Sequence, residues 1–368
     1  MRRRSGLVGM AGAGVLALVV TACGAEGAGS GGSGAGTGSG KGNGTSAAPE
    51  ALPVETTVRP AAWTSQSTTH QLKIAPKRLA RGTAADLDNV RLDEDLEGMV
   101  PYYLTVGYTN TGSVALKRPG PEAGFTVTLA DGTPGKAVSL WNMNPLATAS
   151  GPGLPDHCDE GGPASVAAGG TATVCRLVLM PEGRTPATVA YTDEAGDTLL
   201  WKVGDGKGDA TGLLAAGTTA NSSWKDVTTK GDAVPIRVTP KQVRAGALAD
   251  LGDYDLSTDR KNLVPWYVTM EYRNDGTQKL LPAMDDGVGL RSAAGRDVQP
   301  LSLLDWSLSA GEGEGIDQCR GSVPNTRLQP GSTLTLCTIR LLPEGDRPAT
   351  VSFTSEEARA KSLSWRAG

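Results

Sequence analysis

Apolar and polar residues alternate with a period of two along most of this chain. Tyr102, Leu104, Val106 and Tyr108 share one side of a run whose other side is Tyr103, Thr105, Gly107 and Thr109. A second run repeats the pattern, with Trp266, Val268, Met270 and Tyr272 against Tyr267, Thr269, Glu271 and Arg273. Successive side chains of a strand point to opposite faces, so both runs predict half-buried antiparallel strands. Each ends in an Asn-x-Gly turn, Asn110-Thr111-Gly112 and Asn274-Asp275-Gly276. Phe125, Val127 and Leu129 lead into Asp131-Gly132 in the same way. So do Cys175, Leu177 and Leu179 with their counterparts Cys337, Ile339 and Leu341, and Ala187, Val189 and Tyr191 with Ala349, Val351 and Phe353. No window of about 12 residues carries a helical stripe. Many short strands with Gly/Pro turns predict an all-β fold built from antiparallel β-sandwiches.

The same segment is used twice. Leu72-Lys73-Ile74-Ala75-Pro76-Lys77 matches Ile236-Arg237-Val238-Thr239-Pro240-Lys241, and Val100-Pro101-Tyr102-Tyr103 matches Val264-Pro265-Trp266-Tyr267. Later matches run in the same order: Cys158 with Cys319, Cys175 with Cys337, Pro181-Glu182-Gly183 with Pro343-Glu344-Gly345, and Trp201 with Trp365. Internal self-similarity of this kind marks a duplicated structural unit. The repeats span residues 51–203 and 213–368, each long enough for its own core. Between them, residues 204–212 are rich in Gly and Asp and read as a linker and hinge.

Ahead of the repeats the pattern disappears. Residues 24–45 hold 11 Gly among Ser, Ala and Thr, with no apolar periodicity. Such a tract cannot bury a core and reads as a flexible tether, with a reach of roughly 25 Å. Before it, Arg2, Arg3 and Arg4 precede a short apolar run of small residues over 6–20. That run is too short to span a bilayer and reads as a secretory signal.

Leu18-Val19-Val20-Thr21-Ala22-Cys23 closes the run and resembles the lipobox of bacterial lipoproteins. The resemblance implies removal of residues 1–22. It also implies a diacylglyceryl group and palmitate on Cys23, and a tether over 23–50 that holds the repeats at the outer face of the cell membrane. Two anchoring chains are what stable membrane attachment requires. The Ala- and Gly-rich composition is similar to that of actinobacterial proteins. The strand and turn of Tyr103-Leu104-Thr105-Val106-Gly107-Tyr108-Thr109-Asn110-Thr111-Gly112, with its twin from Tyr267 to Gly276, resembles the signature of immunoglobulin-like domains in secreted bacterial proteins and actinobacterial lipoproteins. It implies two tandem immunoglobulin-like sandwiches and says nothing of a ligand.

Charge narrows the function. The whole chain is −4, and loss of the three arginines makes the remainder −4 − 3 = −7. An acidic chain with no basic patch does not gather phosphates, which excludes nucleic acid as a partner. Cys23 aside, four cysteines remain, two per repeat. A secreted chain permits disulfides, and of the three possible pairings the repeat selects Cys158–Cys175 and Cys319–Cys337, because the others would link independent domains. Each closes a loop of about 18 residues, worth about 3 kcal/mol in the chain-entropy picture. Neither pair has the C-x-x-C spacing of a redox or metal site.

Clustered carboxylates recur at Asp86–Asp95 and Asp250–Asp259. Calcium wants six to eight oxygens. Arg91, however, stands where an EF-hand loop needs Gly, and Gly252 and Tyr254 stand at ligand positions, so solvated acidic loops are expected. Asp156-His157-Cys158-Asp159-Glu160 has no second His in the other repeat and is not expected to hold a metal. Only His70 and His157 exist, so Ser/His/Asp chemistry has little to work with. A carboxylate-pair hydrolase has no marked pair. Trp63, Trp141, Trp201, Trp224, Trp306 and Trp365 occupy matching places in the two repeats. Core packing is the common role of Trp, and Trp141 and Trp306, in loop-rich stretches, are the candidate binding surface. The expected function is therefore non-enzymatic binding or scaffolding without a cofactor or metal. The partner is an extracytoplasmic protein or cell-wall glycan. A glycan- or small-solute-binding lipoprotein and a carboxylate hydrolase stand as alternatives.

Overall fold

The strands of each repeat form a two-sheet frame, and their order follows from where the alternating apolar side chains can meet. The computed structural model describes residues 49–87, 94–138, 158, 162–252, 254, 256, 262–301, 319, 327–355 and 362–368. All of them fall within one compact unit, Ser46–Gly368. The first repeat holds β1 (Glu50–Leu52), β2 (Arg59–Ser65), β3 (Thr68–Arg81), β4 (Met99–Asn110), β5 (Leu116–Lys117), β6 (Phe125–Leu129), β7 (Lys136–Ala137), β8 (Ser165–Val166), β9 (Thr171–Pro181), β10 (Pro186–Thr192) and β11 (Thr198–Lys202). The second holds β12 (Ala220–Trp224), β13 (Val234–Ala245), β14 (Leu263–Asn274), β15 (Val288–Ser292), β16 (Thr333–Pro343), β17 (Pro348–Phe353) and β18 (Leu363–Arg366). The described helical pieces are short 3₁₀ turns.

In the first repeat β3-β4-β9-β7 form one sheet, extended at β3 by β1 and β2, and β6-β10-β11 form the other. With the extra N-terminal strands set aside, this is the A-B-E-D against C-F-G order of an immunoglobulin-type sandwich. The second repeat keeps β13-β14-β16 of this order, with β12 in the place of β2, facing β15-β17-β18, and its counterpart of β7 is a single bridge between Pro300 and Arg340. Among the described residues every strand pairing is antiparallel, apart from a single parallel bridge between Leu214 and Trp365.

Alternation fills each core as the sequence pattern predicts. Tyr102, Leu104, Val106 and Tyr108 enter the first core with Phe125, Val127 and Trp201, and Val268, Met270 and Tyr272 enter the second with Phe353 and Trp365. The opposite face of β4 is not simply wet. Tyr103, Leu177 and Leu179 form a small second cluster there with Cys158, and Tyr267 and Ile339 do so in the second repeat. Both disulfides belong to this outer layer. Cys158 is bonded to Cys175 and Cys319 to Cys337, with Cα separations of 5.2 and 5.4 Å. They tie the fifth frame strand to the preceding loop, unlike the bridge that spans the core of antibody domains.

The shared Pro-Lys dipeptides mark bulges. Pairing of β3 with β4 skips between Pro76 and Arg78, and β13 with β14 skips between Pro240 and Gln242. Proline cannot donate to the ladder, and a bulge absorbs the missing bond.

The repeats meet through equivalent hairpins. Thr128 Oγ1 donates to Ala293 O at 2.8 Å, and Arg291, at the position equivalent to Thr128, donates to Thr133 Oγ1 at 3.1 Å. Arg296 reaches further, to Thr192 Oγ1, Thr198 Oγ1 and Gly196 O at 2.8, 3.0 and 3.2 Å. Gly132 and Gly295 adopt φ of +76° and +89°, and at their contact a Cβ on Gly132 would lie 2.4 Å from Ser292 O. Residues 204–212 are tied to the first repeat. Asp209 pairs with Arg184 at 2.7 Å, and its N–H donates to Thr185 O.

Candidate functional site

One row across the outer face of the second C-F-G-type sheet consists of small residues. Gly289, Ser352 and Ser364 lie side by side across β15, β17 and β18. At the same places the first repeat carries Thr126, Ala190 and Leu200. Loss of side-chain volume leaves a groove of about 1110 Å³ that runs from this floor around the β15 edge to β16. Gly289 keeps the floor low, since a Cβ there would stand 2.5 Å from Ser352 Oγ. One end is completed by Asp131 of the first repeat and by Thr211, Gly212 and Leu213. Pockets favour such junctions between domains.

At the other end the groove reaches a buried arginine. Arg340 is 2% exposed, and its Nη1 and Nη2 donate to Val298 O at 2.8 Å and Val288 O at 2.6 Å. The side chain thus holds two edge segments together. Its Nε and the nearby Thr338 Oγ1 are buried without a hydrogen-bond partner. Burial pulls the Arg340 guanidinium down to about 10, against the opposing pull of Asp285. Burial also pushes the Asp285 carboxyl above its ordinary range, with Asp286 adding to the shift. The first repeat keeps a related cluster. Glu122 takes the place of Asp285, Tyr108 that of Tyr272, and Arg176, two residues earlier on its strand, donates to Glu122 O. Position 178 there is Val, where the second repeat has Arg340.

Four aspartates line the groove, Asp131, Asp285, Asp286 and Asp297, with two arginines, Arg291 and Arg340. Arg291 is engaged by Asp297 at 2.8 Å, and Asp131 by Arg184 at 3.4 Å. Serine and threonine hydroxyls supply the rest. This is a hydrogen-bonding surface.

The residues singled out from sequence are distributed differently. Cys23, Trp141, Trp306 and His157 lie outside the described residues. Of the other tryptophans, Trp63, Trp201, Trp224 and Trp365 are buried, and Trp201 and Trp365 each donate Nε1 to a backbone carbonyl, Thr57 O and Thr218 O, at 2.7 Å. His70 falls inside β3, and its ring stacks on Trp63 at 5.5 Å. One described acid of each acidic loop has structural work. Asp86 Oδ2 accepts the Tyr103 hydroxyl at 2.7 Å, and Asp250 Oδ2 accepts the Tyr267 hydroxyl at 3.2 Å and the Ala247 N–H at 2.9 Å. Positions 88–93, 253, 255 and 257–259 lie outside the described residues. Among the described residues no group of three or more His, Cys, Asp and Glu is placed to hold a metal, and no helix is long and apolar enough to cross a membrane. Single-sequence reasoning missed Gly289, Ser352, Ser364 and Arg340. Comparison of the two repeats position by position is the signal that finds them. No family model, curated protein or solved structure matches this chain.

Proposed function

We propose that this chain is a lipoprotein held by Cys23 at the extracytoplasmic face of the cell membrane, and that it works by binding rather than catalysis. The anchor reading rests on the Leu18–Cys23 sequence and the Gly-rich tether after it. The binding reading rests on one observation: of two sandwiches with related frames, the second carries the smaller Gly289 and Ser364 on its outer floor where the first has Thr126 and Leu200. The polar lining favours recognition over turnover. Cell fractionation tests the anchor. Cys23→Ala should move the protein from the membrane to the medium, and unchanged membrane retention would overturn the lipid anchor. Crosslinking in living cells tests the binding. Material captured by the native chain should be lost with Ser364→Leu, which restores the first repeat's residue. Equal capture by both would remove the groove from the function.

A further inference from the structure

One sheet edge of the second repeat lacks the cover that its counterpart has. In the first repeat β1 closes the C-terminal part of the β3 edge, with Glu50 opposite Arg81, Ala51 opposite Ala80 and Leu52 opposite Leu79. The same three places on β13 are Ala245, Arg244 and Val243, set against Trp266, Tyr267 and Val268 as Arg81, Ala80 and Leu79 are set against Tyr102, Tyr103 and Leu104. β12 covers β13 only from Val234 to Val238. The chain ahead of β12 is drawn elsewhere, since Asp209 is held by Arg184 and Leu214 bridges to Trp365 on β18. Alternation in an antiparallel ladder fixes which groups are open. Gly246 N–H donates to Pro265 O, so Arg244 turns its backbone groups to β14, and Val243 and Ala245 turn theirs outward. The first repeat has the same phase, with Gly82 N–H on Pro101 O and with Leu79 and Arg81 facing β1. Among the described residues nothing meets the outward N–H and C=O groups of Val243 and Ala245. Leu79 is buried in the first core, on which Leu52 packs, whereas Val243 is only partly buried against the second core and Ala245 is exposed. Arg244 lies over the ring of Tyr267 at 5.4 Å, and among the described residues no carboxylate forms an ion pair with it.

We propose that the open edge of β13 takes an extended segment of a partner protein as a further antiparallel strand, with an acidic residue opposite Arg244 and apolar residues opposite Val243 and Ala245. An unpaired edge is a template for another chain, and in strand addition backbone bonds supply the hold while alternate side chains choose the sequence. β1 shows the arrangement on the first repeat. An apolar side chain opposite Val243 takes the place of Leu52 opposite Leu79. A carboxylate opposite Arg244 faces an opposite charge across the strands. The probe is a fluorescein-labelled heptapeptide with a central Leu-Glu-Leu between threonines, titrated by anisotropy against the full chain. The expected result is saturable binding that weakens about tenfold with Ala245→Pro, which removes an outward N–H at an edge where proline is tolerated. Arg244→Glu should weaken it about threefold or more, and a Leu-Lys-Leu peptide should prefer that variant to the native chain. Melting curves of both variants are recorded, so that a folding defect in one leaves the other as the test. Without peptide, the amides of Val243 and Ala245 should exchange with solvent faster than those of Leu79 and Arg81. Equal protection would show that the edge is already covered and would overturn the proposal. Peptide binding untouched by both substitutions, or absent up to about 1 mM peptide, would overturn it as well. Dimerisation of the chain that is lost with Ala245→Pro would overturn the partner strand and make a second copy the occupant.

Discussion

Trp201 and Trp365 stand at the same point of the last strand in their repeats, both fully buried, and each donates its indole N–H to a carbonyl of the segment that leads into its own repeat. Asn110 and Asn274 likewise play one part twice. Each is fully buried, and its side-chain amide caps the loop that precedes the fifth frame strand, through Val166 O and Ala167 O in one repeat and Leu328 O in the other. Against this shared frame the outer C-F-G-type faces diverge, Thr126, Ala190 and Leu200 in one repeat and Gly289, Ser352 and Ser364 in the other. These tryptophans and asparagines, which tie backbone segments together, are retained in both repeats. Residues that only face outward have changed, and the change leaves the groove in the second repeat.

The sharpest break in the comparison is at Arg340, which replaces the Val178 of the first repeat. Arg340→Val should cost about 3 kcal/mol in urea denaturation, because Val288 O and Val298 O lose their donors together and a buried unpaired carbonyl costs roughly 1–3 kcal/mol. Relief from burying the guanidinium offsets part of this. A loss under about 1 kcal/mol would mean that the edge closes without the arginine.

A finer test uses two matched glycines. Gly183 and Gly345 end the same Pro-Glu-Gly turn, with φ of +73° and +85°. A Cβ on Gly183 meets nothing within 4 Å, whereas one on Gly345 would stand 2.1 Å from Thr198 O of the first repeat. Gly183→Ala should therefore cost only the left-handed backbone penalty, roughly 1–2 kcal/mol. Gly345→Ala should cost at least about 1 kcal/mol more, because the backbone at Thr198 must shift. Equal losses in thermal melts would show that the repeats do not touch there in solution.

The frame was legible from the sequence because period-two alternation and internal repetition report directly on which face is buried. The strands around Tyr102–Tyr108 and Trp266–Tyr272, the paired cysteines and the Asn-x-Gly corners all carry that signal. Two things were not legible. Tyr103 and Tyr267 sit at positions that alternation assigns to solvent, yet the 3₁₀ turns and disulfides of the outer layer cover them. Residues 204–212 have the composition of a loose hinge, yet the Arg184–Asp209 pair fastens them and Arg296 bridges the repeats. Long-range polar contacts leave no periodic trace in the chain. The site was hidden for a related reason: Gly289 and Ser364 are informative only beside Thr126 and Leu200.

The smallest expected effect concerns charge at the matched positions 184 and 346. Arg184 is paired with Asp131 and Asp209. Its counterpart Asp346 lies at the base of the second hairpin, where Ala294 replaces the aspartate. Asp346 Oδ1 accepts the N–H groups of Arg347 at 2.8 Å and Ala294 at 3.2 Å, while Oδ2 is buried without a hydrogen-bond partner. Burial raises its carboxyl above the ordinary 3.8 despite Ser292 and the Arg296 charge, which pull the other way. A native carboxyl that holds its proton more tightly than the unfolded chain favours folding at low pH. That advantage is lost as pH rises from about 3.8 through the raised native value. At neutral pH the ionised Asp346 is therefore a net cost. Asp346→Asn keeps the Oδ1 acceptor and removes the charge, so it should raise the melting temperature at pH 7 by an amount corresponding to about 1 kcal/mol or less. The gain should shrink toward zero below about pH 4. Melting curves across that range decide it. A variant that is less stable than the native chain at pH 7 would show that attraction to Arg296 outweighs burial, and that both repeats stabilise this corner through charge pairing.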